Sequence, residues 1–187
     1  GENQNSAISN AYAAGNISHS IDLDIRNLYI TAADYIGGLI GNNKASEIQD
    51  SKASGHLDIT NNLIVSSAGG KTDIYAGGLV GHSQDSNIQR SNAVGNVSLT
   101  QDNYQRNASF DSNFYLGGLI GHNENSDIHH SNSSGSVNVV SKIDLDDGSP
   151  SSKVYIGGLI GNNQNSNVVG SQAVGNVVSS GNYLNYQ

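Results

Sequence analysis

The chain contains no cysteine, methionine or tryptophan, one proline and two phenylalanines among 187 residues. Without cysteine there can be no disulfide framework, thiolate zinc site, CxxC redox motif or cysteine nucleophile. Charge is also scarce, at 13% of residues against about a quarter in ordinary globular domains. Sixteen acidic and eight basic side chains leave a net charge of -8 and a pI near 4.9. That sign repels phosphate backbones and anionic lipid, so nucleic acid is not expected as a partner. No stretch approaches the roughly 18 to 20 apolar residues that cross a bilayer, so no membrane insertion is expected either. Gly1 is neither an initiator Met nor the start of a signal sequence, and the chain reads as a piece of something longer.

What is abundant is small and polar: 23 glycines, and 54 residues that are Asn or Ser. Such a composition fits either low-complexity disorder or an all-β repeat, and periodicity separates the two. Four segments align without a gap at a spacing of 40: YIGGLIGNNKASEIQDSKASGHLDI from Tyr35, and its counterparts from Tyr75, Tyr115 and Tyr155. Shifting back by the same step places Gly1 under Gly41. Residues 1–187 therefore form a single repeat domain: a partial repeat 1–34, repeats 35–74, 75–114 and 115–154, and a partial repeat 155–187. The 14-residue stretches between the similar segments, 21–34, 61–74, 101–114 and 141–154, vary in sequence but keep their length. A disordered linker has no reason to keep count.

The aligned columns predict a core. Leu39, Leu79, Leu119 and Leu159 form one apolar file; Ile8, Ile48, Ile88, Ile128 and Val168 a second; Ile17, Leu57, Val97, Val137 and Val177 a third. Gly15, Gly55, Gly95, Gly135 and Gly175 mark a place that admits only a small side chain or needs positive φ. Ser51, Ala53, Gly55, Leu57 and Ile59 step by two, the strand period, and the three-residue step from Ile48 to Ser51 implies a turn. No helical spacing persists. The expected fold is all-β: a parallel β-solenoid of the right-handed β-helix type, with β-propeller blades as the alternative. Low aromatic content, and Asn amides able to hydrogen-bond up a stack, favour the solenoid. The variable stretches are strand-like and either complete a side of the coil or project as hairpins, while DLDDGSPSS around Pro150 reads as a loop.

The string GGLIG or GGLVG, a polar loop, then S-x-I-x-x-S-x-A-x-G-x-V, with Ser46, Ser86, Ser126 and Ser166 in place, resembles the GLUG repeat of large secreted bacterial surface proteins. The resemblance covers four copies and part of a fifth. It implies a passive β-rich repeat within filamentous-haemagglutinin-like adhesins, two-partner-secretion exoproteins or immunoglobulin A proteases, located outside the bacterial cell or on its surface. The long variable stretches depart from the closer spacing usual in that family.

Candidate chemistry is thin. His82 and His122 share a column, with Asn42 and Asn162 flanking them, so neighbouring turns would bring two imidazoles close; two ligands without a carboxylate make a weak site, and no metal or other cofactor is expected. His129 and His130 are adjacent, without an HExxH pattern. Asp22 and Asp24, and Asp144, Asp146 and Asp147, match no EF-hand loop and read as solvated turns. Asp50 becomes Arg90, His130 and Gly170 in later repeats, and Glu47 becomes Asn87, Asp127 and Asn167, the behaviour of exterior positions rather than of a hydrolytic carboxylate pair. GGLIG lacks the phosphate-loop layout, and no catalytic site is expected. Asn-x-Ser triplets begin at Asn16, Asn96, Asn107 and Asn132, where an exported protein could carry glycans. The expected role is a non-catalytic stalk or spacer of an adhesin, with contact to a host-surface protein or glycan through Tyr29, Tyr104, Phe110 and Phe114 of the variable stretches. The same aromatics could instead cover the coil's apolar flank. An accessory domain of an immunoglobulin A protease or other exoenzyme, or a dedicated glycan- or protein-binding module, are the alternatives.

Overall fold

The computed structural model describes residues 1–148, 152–182 and 185–186. Among them there is no helix, every strand pairing is parallel, and all but one join residues 40 apart, as in Ile48 with Ile88 and Ile88 with Ile128; the exception, at the end of the chain, joins Lys153 to Asn185 and Val154 to Tyr186. This is a β-solenoid, and it disposes of the propeller alternative: the equivalent leucines are stacked, with Leu79 N–H donating to Leu119 C=O across one coil step. Each coil has three short faces, exemplified by Ile40–Lys44, Glu47–Gln49 and Lys52–Ala53. Each face continues through five coils as a parallel sheet.

Single left-handed residues turn the chain between these faces. Ala45, Asp85 and Asn125 occupy one corner, and Asp50, Arg90 and His130 the next, all with φ between 45° and 52°. A serine follows each of them and closes the hydrogen bonding there. Ser46 Oγ donates to Lys44 C=O at 2.7 Å and accepts the Ser6 N–H at 3.1 Å. Ser86 and Ser126 repeat the pattern one and two coils on, and Ser51, Ser91 and Ser131 build the same ladder at the second corner. Buried backbone N–H groups need partners, and the strand ladder is interrupted at a corner. This explains the S-x-x-x-x-S spacing physically.

The variable stretches neither complete a short side nor project as antiparallel hairpins. Among the described residues they form a two-layered arm, each leg pairing in parallel with the same leg of the neighbouring coils. The outgoing leg runs Leu57–Ser66 and the returning leg Gly69–Gly77 in the second repeat, while Val97–Gly117 spans both legs of the next. Asn27, Ser67 and Asn107 turn the arm tip with positive φ. The legs pack face to face: Leu57 and Ile59 meet Ile74 and Ala76 at the base, and Leu63 and Val65 meet Phe110 further out. Buried polar groups share the arm interior with these apolar zones: Asn103 and Gln105 stack on Leu63 and Val65 of the preceding coil, with Asn103 Nδ2 donating to Ser112 Oγ at 3.3 Å and Gln105 Nε2 to Phe110 C=O at 2.8 Å.

The predicted files are realised in the inner coils, where Ile48, Ile88, Ile128, Leu79, Leu119, Leu57, Val97 and Val137 have no exposure. Burial alternates through Ser51, Ala53, Gly55, Leu57 and Ile59 even though strand structure lapses at 54–56. Of the two reasons considered for Gly95, close approach is the right one: a Cβ there would lie 1.9 Å from the Gly55 carbonyl oxygen, without positive φ. The loop reading around Pro150 fails for its first half, since the strand Val137–Gly148 includes DLDDG; Pro150 lies outside the described residues.

Candidate functional site

The arm surfaces are where the variable aromatics were expected to make contact. Tyr29 is 80% and Tyr104 40% exposed, on the returning and outgoing legs respectively. Phe110 and Phe114 require correction as contact residues: both are completely buried, in the tip and base clusters of the arm. The left-handed Asn107 shifts the alternation of inward and outward side chains. Tyr104 before it therefore faces solvent, while Phe110 and Phe114, the same parity in sequence, face inward.

Several acidic residues of the arms are engaged with cations. Asp24 pairs with Arg26, Asp144 and Asp102 with Lys142, and Asp146 with Arg106. Tyr104 Oη donates to Asp146 at 3.4 Å. The Arg26 guanidinium beside Asp24 holds that carboxyl below its ordinary value. These are exposed ladders of opposite charge, worth little each. Asp147's side chain lies outside the description. Asp50 is likewise bound by Arg90 of the next coil, through contacts of 2.7 and 2.8 Å.

A second surface runs where the returning leg meets the first short face. Tyr35, Tyr75, Tyr115 and Tyr155 stack with ring centroids 5.1, 4.7 and 4.8 Å apart, close to the strand spacing of about 4.8 Å. Beside them His82 and His122 stack at 5.2 Å with planes 7° apart, and Tyr75 touches both. The expectation that the two imidazoles lie on neighbouring turns holds in the register, His82 opposite His122 with Asn42 and Asn162 on either side. Burial, then the neighbouring His122 and Lys44, pulls His82 down to about 4. Burial lowers His122 as well, against the opposing pull of Glu124. Burial pushes Tyr115 up to about 12, with the Asp73 carboxylate adding to it; Tyr75 is raised further, for the same reasons.

The missing carboxylate is Glu124. One ligand atom each from His82, His122 and Glu124 lies within 4.8 Å of the other two. Among the described residues no other trio of His, Asp or Glu comes together so closely. The signal for it was available, because a residue two positions after His122 on a strand shares its face. His129 sits on the second face and His130 at the corner beyond it, away from this cluster. Of the Asn-x-Ser positions, Asn16, Asn96 and Asn132 use their side-chain oxygens to cap the His56, Ser136 and Gln172 N–H groups of the next coil. Asn107 stands exposed at an arm tip.

The GLUG motif matches residues 72–98 and 112–138. Each match begins on a returning leg, passes the tyrosine and the Gly-Gly bend, rounds all three short faces and ends at the foot of the next arm. Two stretches of the chain thus carry the GLUG motif, and each match is one coil without most of its arm. No curated protein and no solved structure matches the chain.

Proposed function

We propose that this region is a non-catalytic module of an exported bacterial surface protein of the adhesin type, a rigid scaffold that displays variable arm surfaces to a host protein or glycan. The observation that carries this reading is the unbroken 40-residue register: backbone ladders, serine corners and tyrosine stack repeat coil after coil, while the residues on the arm exteriors change. A scaffold of this kind lengthens by adding coils and needs no new core type. Forty residues per strand spacing is a slow way to gain length, and the width of the arms favours display and stiffness over reach.

Replacing stretch 101–114 by Gly-Ser would delete Phe110 and Phe114 from the interior, and replacing 61–74 would delete Leu63, so the test must spare inward positions. Host-cell and glycan-array binding is measured for the chain and for a variant carrying Tyr29→Ser and Tyr104→Ser. Binding by the chain that the variant loses, at unchanged melting temperature, supports display. No binding by either, or equal binding by both, rejects these arm faces as the contact surface. Duplicating residues 75–114 tests the scaffold separately: the particle should lengthen by about 4.8 Å per added coil in small-angle scattering or electron microscopy. Aggregation or an unchanged length would reject additive stacking.

A further inference from the structure

We propose that His82, His122 and Glu124 bind one divalent transition ion of the zinc class across two adjacent coils. The placement is dictated by register: His82 and His122 are directly opposed on neighbouring strands, and Glu124 follows on the same face of the same strand as His122. Their ligand atoms already converge within 4.8 Å. Two nitrogens bonded to one tetrahedral zinc at about 2.1 Å stand about 3.4 Å apart. The two rings, held 7° from parallel, therefore need only tilt toward one another, and the Glu124 side chain closes from the side.

His122 supplies an independent observation. It is 8% exposed, and its Nδ1 is buried without a hydrogen-bond partner. A buried nitrogen left unpaired is destabilising, and the two histidines with Glu124 surround it with the groups a cation would take. The rest of the surroundings behave as a supporting shell. His82 Nδ1 is 3.0 Å from Asn42 Oδ1, an arrangement that fixes the ring and leaves the other nitrogen free to ligate, as the outer hydrogen bond of a metal-bound histidine does. Tyr75 lies against both imidazoles and Tyr115 against His122, centroids 5.2 to 5.7 Å away. Two imidazoles with one carboxylate suit zinc and its late first-row neighbours, whereas calcium and magnesium call for shells built of oxygen.

The array itself supplies the control. The histidine column reads Glu2, Asn42, His82, His122, Asn162, and the glutamate column Gln4, Lys44, Gln84, Glu124, Gln164. His82→Asn, His122→Asn and Glu124→Gln therefore each install a residue that the same fold seats in another coil, so loss of binding is separable from loss of structure. The experiment is calorimetric titration of the tag-free, chelator-treated chain with Zn²⁺, followed by Co²⁺ absorption and by thermal melting with and without Zn²⁺. The expected result is one equivalent bound, a melting temperature raised by Zn²⁺, and affinity weakened at least tenfold in each of the three variants. A chain carrying His129→Ala and His130→Ala keeps the site. The proposal is overturned if no saturable equivalent is taken up, if uptake survives unchanged in His122→Asn or Glu124→Gln, or if it disappears with His129 and His130.

Discussion

Replacing Ser83 by Asn should stabilise the protein, because Ser83 interrupts a buried amide ladder. Its column reads Asn3, Asn43, Ser83, Asn123, Asn163. Asn3 Nδ2 donates to Asn43 Oδ1 at 2.9 Å, and Asn123 Nδ2 to Asn163 Oδ1 at 2.9 Å. At the serine the chain of bonds stops, leaving three buried atoms without partners: Asn43 Nδ2, Ser83 Oγ and Asn123 Oδ1. An Asn at 83 offers its Oδ1 to Asn43 and its Nδ2 to Asn123, and the orphan hydroxyl goes. Two new bonds at about 1 kcal/mol each, plus removal of one desolvated hydroxyl that costs about 1–3 kcal/mol, oppose roughly 1 kcal/mol of lost rotamer freedom and some overpacking. Asn43 and Asn123 fit the same seat with no exposure, so the overpacking is small. The net expectation is about 2 kcal/mol, which for a chain of this size raises the melting midpoint by about 4–8 °C. Ser83→Ala, which removes the orphan hydroxyl without extending the ladder, is the control. The assay is thermal and urea unfolding followed by circular dichroism. A midpoint for Ser83→Asn no higher than that of Ser83→Ala would refute ladder completion as the source of stability.

Gly95→Ala drives a methyl to 1.9 Å from the Gly55 carbonyl oxygen and should cost about 3 kcal/mol or prevent folding. Gly15→Ala, in the same column but with open space around it, should be neutral; equal urea midpoints for the two variants would remove the close-approach argument. In the metal-free chain Tyr115 should ionise only near pH 12 and Tyr75 later still. A phenol held neutral in the folded state and titrating at about 10 when unfolded leaves stability intact below pH 10 and removes it as pH rises through 12. Tyrosinate absorbance measured alongside circular dichroism checks this, and ionisation of every tyrosine near pH 10 in a still-folded chain would contradict it.

The coil core was legible because a repeat writes the same information several times: Leu39, Leu79, Leu119 and Leu159 in one column cannot be mistaken for scattered apolar residues. The arms were legible only as strands. Their interior mixes Leu63 and Val65 with Asn61, Gln101, Asn103 and Gln105, all buried, and an inward Gln beside an outward Asp produces no hydrophobic alternation to read. Parity misled as well. Tyr104, Phe110 and Phe114 lie on even positions, and only the φ of 46° at Asn107 sends the first outward and the others in. For the histidines, column alignment supplied the pair and same-strand spacing was needed for Glu124. The two relations come from different axes of the fold, along the stack and along the strand, and a site in a solenoid lies where both are satisfied.

Departures from a column are therefore of physically different kinds, and partner satisfaction sorts them. Ser83 departs from an asparagine file and leaves donors and acceptors stranded on both sides, so it subtracts from the fold. Arg90 departs from Asp50 and binds it bidentately, which is exterior charge exchange with little effect either way. His82 and His122 depart from asparagines as well, yet they stack with each other and against the tyrosines, and the one unsatisfied nitrogen belongs to a residue whose neighbours are a second imidazole and a carboxylate. A defect that strands polar atoms against one another is corrected by restoring the column. Here the stranded nitrogen shares its surroundings with two further donors of electron pairs, and restoring the column would break up the one convergent trio of His and Glu ligand atoms among the described residues. That difference in consequence, repair in one case and loss of binding in the other, is what Ser83→Asn and His122→Asn measure when they are compared in the same chain with and without Zn²⁺.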